Sequence, residues 1–248
     1  MIIEKSTPQQ INLYYDLYVP DQAPESSRPL IIALHGYEGN KESMMALARK
    51  INSDDYVIAS VQGPNAFFTA VAREQKTPKI GFGWMMQYKA AETIDLHHKT
   101  MLSVIEQTRS QYAVDTNSIF LLAFSQSVAL NYRFTFTHPG VVRGVIAVCG
   151  GIPGDWNEDK YRKSDTDVLI VAGENDEFYP SERTRGFKDA LAPRARSVEY
   201  VSFPTGHVFP RESLPVIDNW MRGAAGNRCA QEFRAEKEVT PNPRNPCD

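Results

Sequence analysis

Ser125 closes an apolar run from Ile119 to Phe124 and is followed by a helical pattern that starts at Gln126. Two residues away on either side stand Ala123 and Ser127, both small. Where a buried strand turns sharply into a helix, the corner residue is strained and its side chain is lifted above the sheet, so bulky residues at those two positions would collide. A serine so placed is a candidate nucleophile for attack on an acyl carbon. Its hydroxyl then needs a base to take the proton, an acid to orient that base, and N–H donors where negative charge develops.

The chain holds five histidines. His97 and His98 fall mid-helix, His138 precedes Pro139 at a helix end, and His35 comes before the serine. His207 alone follows both a strand and a carboxylate segment, in the turn-forming stretch Pro204, Thr205, Gly206, His207, Val208, Phe209, Pro210. It is the candidate base. The segment after the run Val168 to Ala172 offers three acids, Asp176 with Glu174 and Glu177 as rivals, ahead of a helix opened by Pro180. The order serine, acid, histidine is the one that the α/β-hydrolase topology imposes.

For the developing oxyanion there are two backbone candidates. The N–H of Gln126 starts the helix after the turn and adds a favourable dipole. That of Tyr37 lies in Leu34, His35, Gly36, Tyr37, Glu38, Gly39, where glycines let the backbone approach a ligand closely. Ser127 is a rival nucleophile, set too far into the helix. Trp84 and Phe209 are candidates to line an acyl pocket.

These residues require elements that carry them to one place. Short apolar runs alternate with longer helical patterns, the signature of a parallel sheet covered on both faces, and the fold class is α/β. Strands are expected over Ile11 to Val19, Leu30 to Leu34, Val57 to Val61, Ile119 to Phe124, Val145 to Cys149, Val168 to Ala172 and Val198 to Phe203. Helices are expected over Glu42 to Ile51, Glu92 to Arg109, Gln126 to Phe136, Ser181 to Leu191 and Leu214 to Met221. The stretch from Gly63 to Tyr88 fits neither period and carries Phe67, Phe68, Trp84, Met85 and Met86, which marks it as a functional loop.

With 248 residues, 42% of them hydrophobic, the chain can bury one sizeable core. Residues 1–222 are expected to form the hydrolase domain. Residues 223–248 turn polar, with Pro241, Pro243 and Pro246, and read as a loosely attached tail. A net charge of −3 without basic runs gives no electrostatic footprint for nucleic acid or anionic lipid. No segment is long and apolar enough for a membrane span, and the opening Met1 to Ser6 lacks the basic and apolar regions of a signal peptide. Cys149, Cys229 and Cys247 form neither a disulfide framework nor a metal pattern, so a reducing, cytoplasmic setting is expected.

The pattern resembles the phospholipase/carboxylesterase branch of the α/β-hydrolases, which includes acyl-protein thioesterases and small carboxylesterases. The resemblance runs from about Leu30 to Met221. It rests on His35 and Gly36 at a strand end, on Phe124, Ser125 and Gln126, on Gly173 followed by Asp176 and Pro180, and on Gly206 and His207. It implies Ser125 as nucleophile, Asp176 as the acid three residues after Gly173, His207 as base, and the amides of Tyr37 and Gln126 as oxyanion hole. The implied activity is cofactor-free hydrolysis of a small-molecule acyl ester or thioester. The chain departs from the family's Gly-x-Ser-x-Gly, since Ala123 and Ser127 replace both glycines, and Cys149, Gly150 and Gly151 stand where the family often has Ser-Gly. A hydrolase fold that only binds a ligand, and a peptidase, are the competing readings. No HExxH and no Cys/His ligand spacing is present, so no metal is expected. Ester hydrolysis should therefore survive a metal chelator undiminished, and loss of activity in EDTA would overturn that expectation.

Overall fold

The computed structural model describes residues 1–21, 27–69 and 79–225. In chain order the elements are β1 (Tyr15–Tyr18), β2 (Arg28–Leu34), α1 (Lys41–Ala48), β3 (Val57–Val61), β4 (Asn65–Phe68), β5 (Ile80–Gly83), α2 (Ala90–Gln111), β6 (Val114–Phe124), α3 (Gln126–Thr137), β7 (Gly144–Val148), β8 (Asp167–Gly173), α4 (Ser181–Leu191) and β9 (Ser197–Phe203). A final helix, α5, covers 214–225. Seven strands make one sheet in the order β1-β3-β2-β6-β7-β8-β9. All its pairings are parallel except that of β1 with β3.

Continuous apolar runs are what a strand covered on both faces needs, and β3, β7 and β8 are buried at every position. Because side chains alternate across a strand, each strand feeds two cores. Leu30, Ile32 and Leu34 of β2 pack on one face with Met101 and Val104 of α2, Val128 and Leu130 of α3 and Leu191 of α4. Ile31 and Ala33 pack on the other with Met44 and Ala48 of α1 and Ile217 and Met221 of α5. The result is a three-layer α/β/α stack.

Four expectations change. The strand expected from Ile11 pairs only over Tyr15–Tyr18, because β3 runs out at Val61, and Ile11 and Tyr14 stay exposed. β6 starts at Val114, ahead of the apolar run, with a register shift beside Arg28 and Leu30 where Pro29 has no N–H to give. Within Gly63 to Tyr88, β4 and β5 pair as an antiparallel ladder, Asn65 to Gly83 through Phe68 to Ile80. The last helix continues past Arg222, burying Ala224, whose carbonyl accepts from Arg143. The rest of the expected tail, with Cys229 and Cys247, lies outside the described residues.

His97 and His98 of α2 stand among rings, His97 edge-on to Trp84 and Phe134. Burial, joined by repulsion from His98, pushes His97 down to about 3 against a weaker upward pull from Asn131, and burial with repulsion from His138 pushes His98 down to about 4. Both stay neutral in the fold, whereas an unfolded histidine takes a proton below about pH 6.5. Their stabilisation is complete above that pH and is lost as pH falls toward the folded values, at about 1.4 kcal/mol per pH unit for the fully buried His97. Urea midpoints should drop between pH 7 and pH 5, and His97→Phe should flatten that drop. An unchanged slope in the variant would refute the account.

Candidate active site

The apolar run of β6 carries the chain to the carboxyl edge of the sheet, where Ser125 adopts φ 58° and ψ −115°. A non-glycine residue at such angles is held at a cost of about 1–3 kcal/mol. The N–H of Ser125 donates to Val148 O at 2.9 Å, and its carbonyl accepts from Val128 N–H at 3.1 Å, which starts α3. The corner is made possible by its neighbours. A Cβ on Gly36 would meet the Phe124 ring at 2.8 Å, and one on Gly150 would lie 2.4 Å from Val128 Cβ and 2.8 Å from Ser125 O. Ala123 and Ser127 are fully buried, and the Ser127 hydroxyl lies 3.1 Å from both Leu34 O and Phe124 O. That hydroxyl is turned into the fold, which leaves Ser125 as the serine facing the site.

His207 comes from the loop after β9 and Asp176 from the loop after β8. Nε2 of His207 lies 2.8 Å from Ser125 Oγ, and Nδ1 lies 2.9 Å from Asp176 Oδ2. The other carboxylate oxygen, Oδ1, accepts the N–H groups of Phe178 and Tyr179 at 2.9 Å each. Burial pushes the Asp176 carboxyl up, yet the bonds from His207 and those two amides outweigh it and hold the group below the usual carboxylate range. An ionised Asp176 accepts a hydrogen bond from Nδ1–H and so keeps the proton on that nitrogen, and Nε2 is then free to accept from the serine hydroxyl. The rings of Phe124, Phe178 and Tyr179 surround the imidazole, 5.2, 4.9 and 5.8 Å away.

The rival acids are occupied elsewhere. Glu174 accepts from Ser202 Oγ, and Glu177 accepts the backbone N–H of His207. Cys149 is buried at the tip of β7, its thiol pushed up to about 12 mainly by burial and pointed at Val208 O.

Neither Tyr37 N–H nor Gln126 N–H donates to another group among the described residues. Gln126 opens α3, which has no side-chain cap, so its amide has no partner within the helix. Gly36, the residue before Tyr37, sits so close to the corner that its Cβ would lie 3.3 Å from Ser125 Cβ. Beside it opens a cavity of about 220 Å³ lined by Tyr37, Met44, Leu47, Phe124 and Phe209, among others. Phe209 lies on its wall. Trp84 does not: it is 1% exposed, packed in the core, and its indole N–H donates to His35 O at 2.8 Å. Met44 and Leu47 were not anticipated, although their spacing of three on α1 puts them on one helix face. Asn40 caps that helix by accepting from Ser43 N–H at 2.8 Å. Among the described residues no group of three or more His, Cys, Asp or Glu side chains is arranged to hold a metal.

A family model described as serine hydrolase (FSH1) matches residues 26–217. No curated protein sequence matches the chain. Among solved structures it is similar to the Bacillus cereus carboxylesterase, at 18% identity over 86% of this chain and 94% of that one, with a TM-score of 0.65. A phospholipase/carboxylesterase from Dyadobacter fermentans aligns at 19% identity over 85% and 96%, TM-score 0.63. An esterase, PE8, aligns at 17% identity over 86% and 100%, TM-score 0.66. These likenesses show the fold, which is that of the α/β-hydrolases.

The strain at Ser125 is measurable apart from any activity. Ser125→Gly and Ser125→Ala both remove the hydroxyl, but only glycine adopts φ 58° freely. Strain relief of about 1–3 kcal/mol, less the roughly 0.5–1 kcal/mol entropic cost of glycine, leaves the glycine variant more stable by about 1 kcal/mol. A glycine variant less stable than the alanine one would show the corner to be unstrained.

Proposed function

The chain belongs to the serine hydrolase (FSH1) family, and on that footing we propose that Ser125, His207 and Asp176 are its catalytic triad, acting on carboxylic esters or thioesters of small acyl groups. The observation that carries this reading is the unbroken line of hydrogen bonds from Asp176 through His207 to Ser125, 2.9 and 2.8 Å long. As Ser125 Oγ bonds to the substrate's carbonyl carbon, its proton passes to Nε2 of His207. The carbonyl π electrons move onto oxygen, where the N–H groups of Tyr37 and Gln126 receive the charge. When the oxyanion collapses, the bond to the alcohol or thiol breaks, and His207 returns the proton to the leaving group. Water repeats the sequence on the acyl-enzyme and releases the acid. Asp176 keeps Nδ1 protonated and the ring aimed throughout.

The apolar cavity beside Gly36 supports an acyl substrate, with Phe209 on its wall. The carboxylesterase and phospholipase/carboxylesterase names of the similar structures support an ester over a peptide. Family membership favours a working enzyme over an idle binding fold. The hydrolase domain takes in residues 1–222, with α5 running on to residue 225. Among the described residues no helix is long and apolar enough to cross a membrane. The buried free thiol of Cys149 suits a reducing, cytoplasmic setting.

Nitrophenyl esters of increasing acyl length provide the assay. Ser125→Ala should lower kcat by at least about 10⁴-fold and abolish labelling by a fluorophosphonate, and Asp176→Asn should lower kcat roughly 10⁴-fold by favouring the wrong tautomer of His207. Undiminished hydrolysis by the Ser125 variant would remove the proposal.

A further inference from the structure

Three buried or half-buried side chains that take no part in the triad form a chain of hydrogen bonds between the two amides assigned to the oxyanion. Gln126 supplies one of those amides from its backbone. Its side-chain Oε1 accepts the backbone N–H of Trp84 at 2.8 Å, and its Nε2 donates to Met85 O at 3.4 Å. The Trp84 indole then donates to His35 O at 2.8 Å, with the indole and imidazole rings 5.3 Å apart. His35 in turn lies with Nδ1 2.7 Å from Gly36 O, while its Nε2 takes the N–H of Gly63 at 2.9 Å and faces the Gln62 amide at 3.0 Å.

The last link decides a direction. The carbonyl of Gly36 and the N–H of Tyr37 belong to one planar trans peptide and point opposite ways. Drawing Gly36 O inward, onto His35 Nδ1–H and the Gly39 N–H at 3.1 Å, turns the Tyr37 N–H outward. The packing leaves little slack. Trp84 and His35 are 1% and 2% exposed, and a Cβ on Gly63 would meet Gly83 O at 2.8 Å and His35 Cε1 at 3.1 Å.

We propose that Trp84 and His35, held by the side chain of Gln126, are positioning residues that set the spacing and direction of the two oxyanion amides. This rests on the triad reading above. An oxyanion donor works when it lies about 2.7–3.1 Å from the developing charge, and removing one costs on the order of 10²–10³ in kcat. A frame that fixes one amide relative to the other acts on the transition state and leaves binding of the uncharged ester alone.

Trp84→Phe keeps the ring and removes the N–H to His35 O. Gln126→Ala keeps its own backbone amide and releases Trp84. In the ester assay each should lose about 10- to 100-fold in kcat, by partial misplacement of donors, with KM changed by less than about 3-fold. An alkyl trifluoromethyl ketone, which forms a charged tetrahedral adduct on a reactive serine, should lose affinity by the same factor as kcat/KM. The double variant should be little worse than the weaker single one, because both cut the same chain. Gln126 is half-buried at the surface of the elbow, so its variant carries the test if the Trp84 variant fails to fold. Two results overturn the inference while leaving the triad intact: folded variants with wild-type kcat beside a dead Ser125→Ala, or a fall in kcat with no loss of ketone affinity. Activity persisting in Ser125→Ala would instead overturn the triad reading itself.

Discussion

The site depends on a single strained corner, the left-handed backbone of Ser125 between β6 and α3. Such a conformation persists only where its surroundings outweigh it. Ile119, Phe120, Leu121, Leu122 and Ala123 are all essentially buried on the approach, each large aliphatic or aromatic residue contributing about 1.5–3 kcal/mol of transfer free energy. That total exceeds the roughly 1–3 kcal/mol of strain several times over. On the far side, Val128 and Leu130 anchor the start of α3 in the same core. The two glycines missing from the elbow motif matter little for this reason. Space is left at Gly36 and Gly150 instead, and the Ser127 hydroxyl that replaces one glycine ties α3 to the end of β2.

Parallel pairing explains how residues 31 to 82 positions apart in sequence meet. Every strand from β2 to β9 in the large sheet ends at the same edge, so the loops bearing Tyr37, Ser125, Asp176 and His207 open on one side. Ser125 and His207 nonetheless follow strands three places apart, about 14 Å at ordinary strand spacing. The imidazole has to span that distance past β7 and β8, and glycines at the ends of those strands let the surrounding chain close in. After β7 the chain turns through Cys149 at φ 46° and then Gly150 and Gly151, and a Cβ on Gly151 would meet the Tyr179 ring at 2.9 Å. At the end of β8, Gly173 admits the His207 loop itself, since a Cβ there would lie 2.6 Å from Gly206 O and 2.7 Å from Thr205 O.

What could be read from residue types was whatever depends on local pattern. Buried strands announce themselves as unbroken apolar runs, and a serine between small residues at a strand end marks the elbow. His207 was legible because no other histidine follows both a strand and an acid. The misreading of Trp84 has a physical origin: a large aromatic near a functional loop suits a pocket wall and a core strut equally, and its indole partner lies 49 positions upstream at His35. The Gln126 side chain was silent for the same reason, since its contact with Trp84 spans 42 positions. The β4–β5 ladder went unread because each strand is four residues long and Gly81 and Gly83 break its alternation.

Two histidines stand at the edge of this sheet, and their surroundings give them opposite capacities. Around His35 both ring nitrogens are committed: Nδ1 to a carbonyl and Nε2 to the backbone N–H of Gly63. A proton added at Nε2 would face a donor in a buried place, and burial indeed pushes His35 below the ordinary histidine value, against the weaker pull of Gly36 O and Glu42. Such a ring can hold a loop and cannot shuttle a proton. His207 presents Nε2 to a hydroxyl, and its Nδ1 rests on a carboxylate that two amides keep ionised. A proton arriving at that Nε2 makes an imidazolium with a counter-charge already in place. The difference between the strut and the proposed base therefore lies at both nitrogens: Nδ1 rests on a peptide carbonyl in one case and a carboxylate in the other, and Nε2 meets a peptide N–H in one case and a serine hydroxyl in the other.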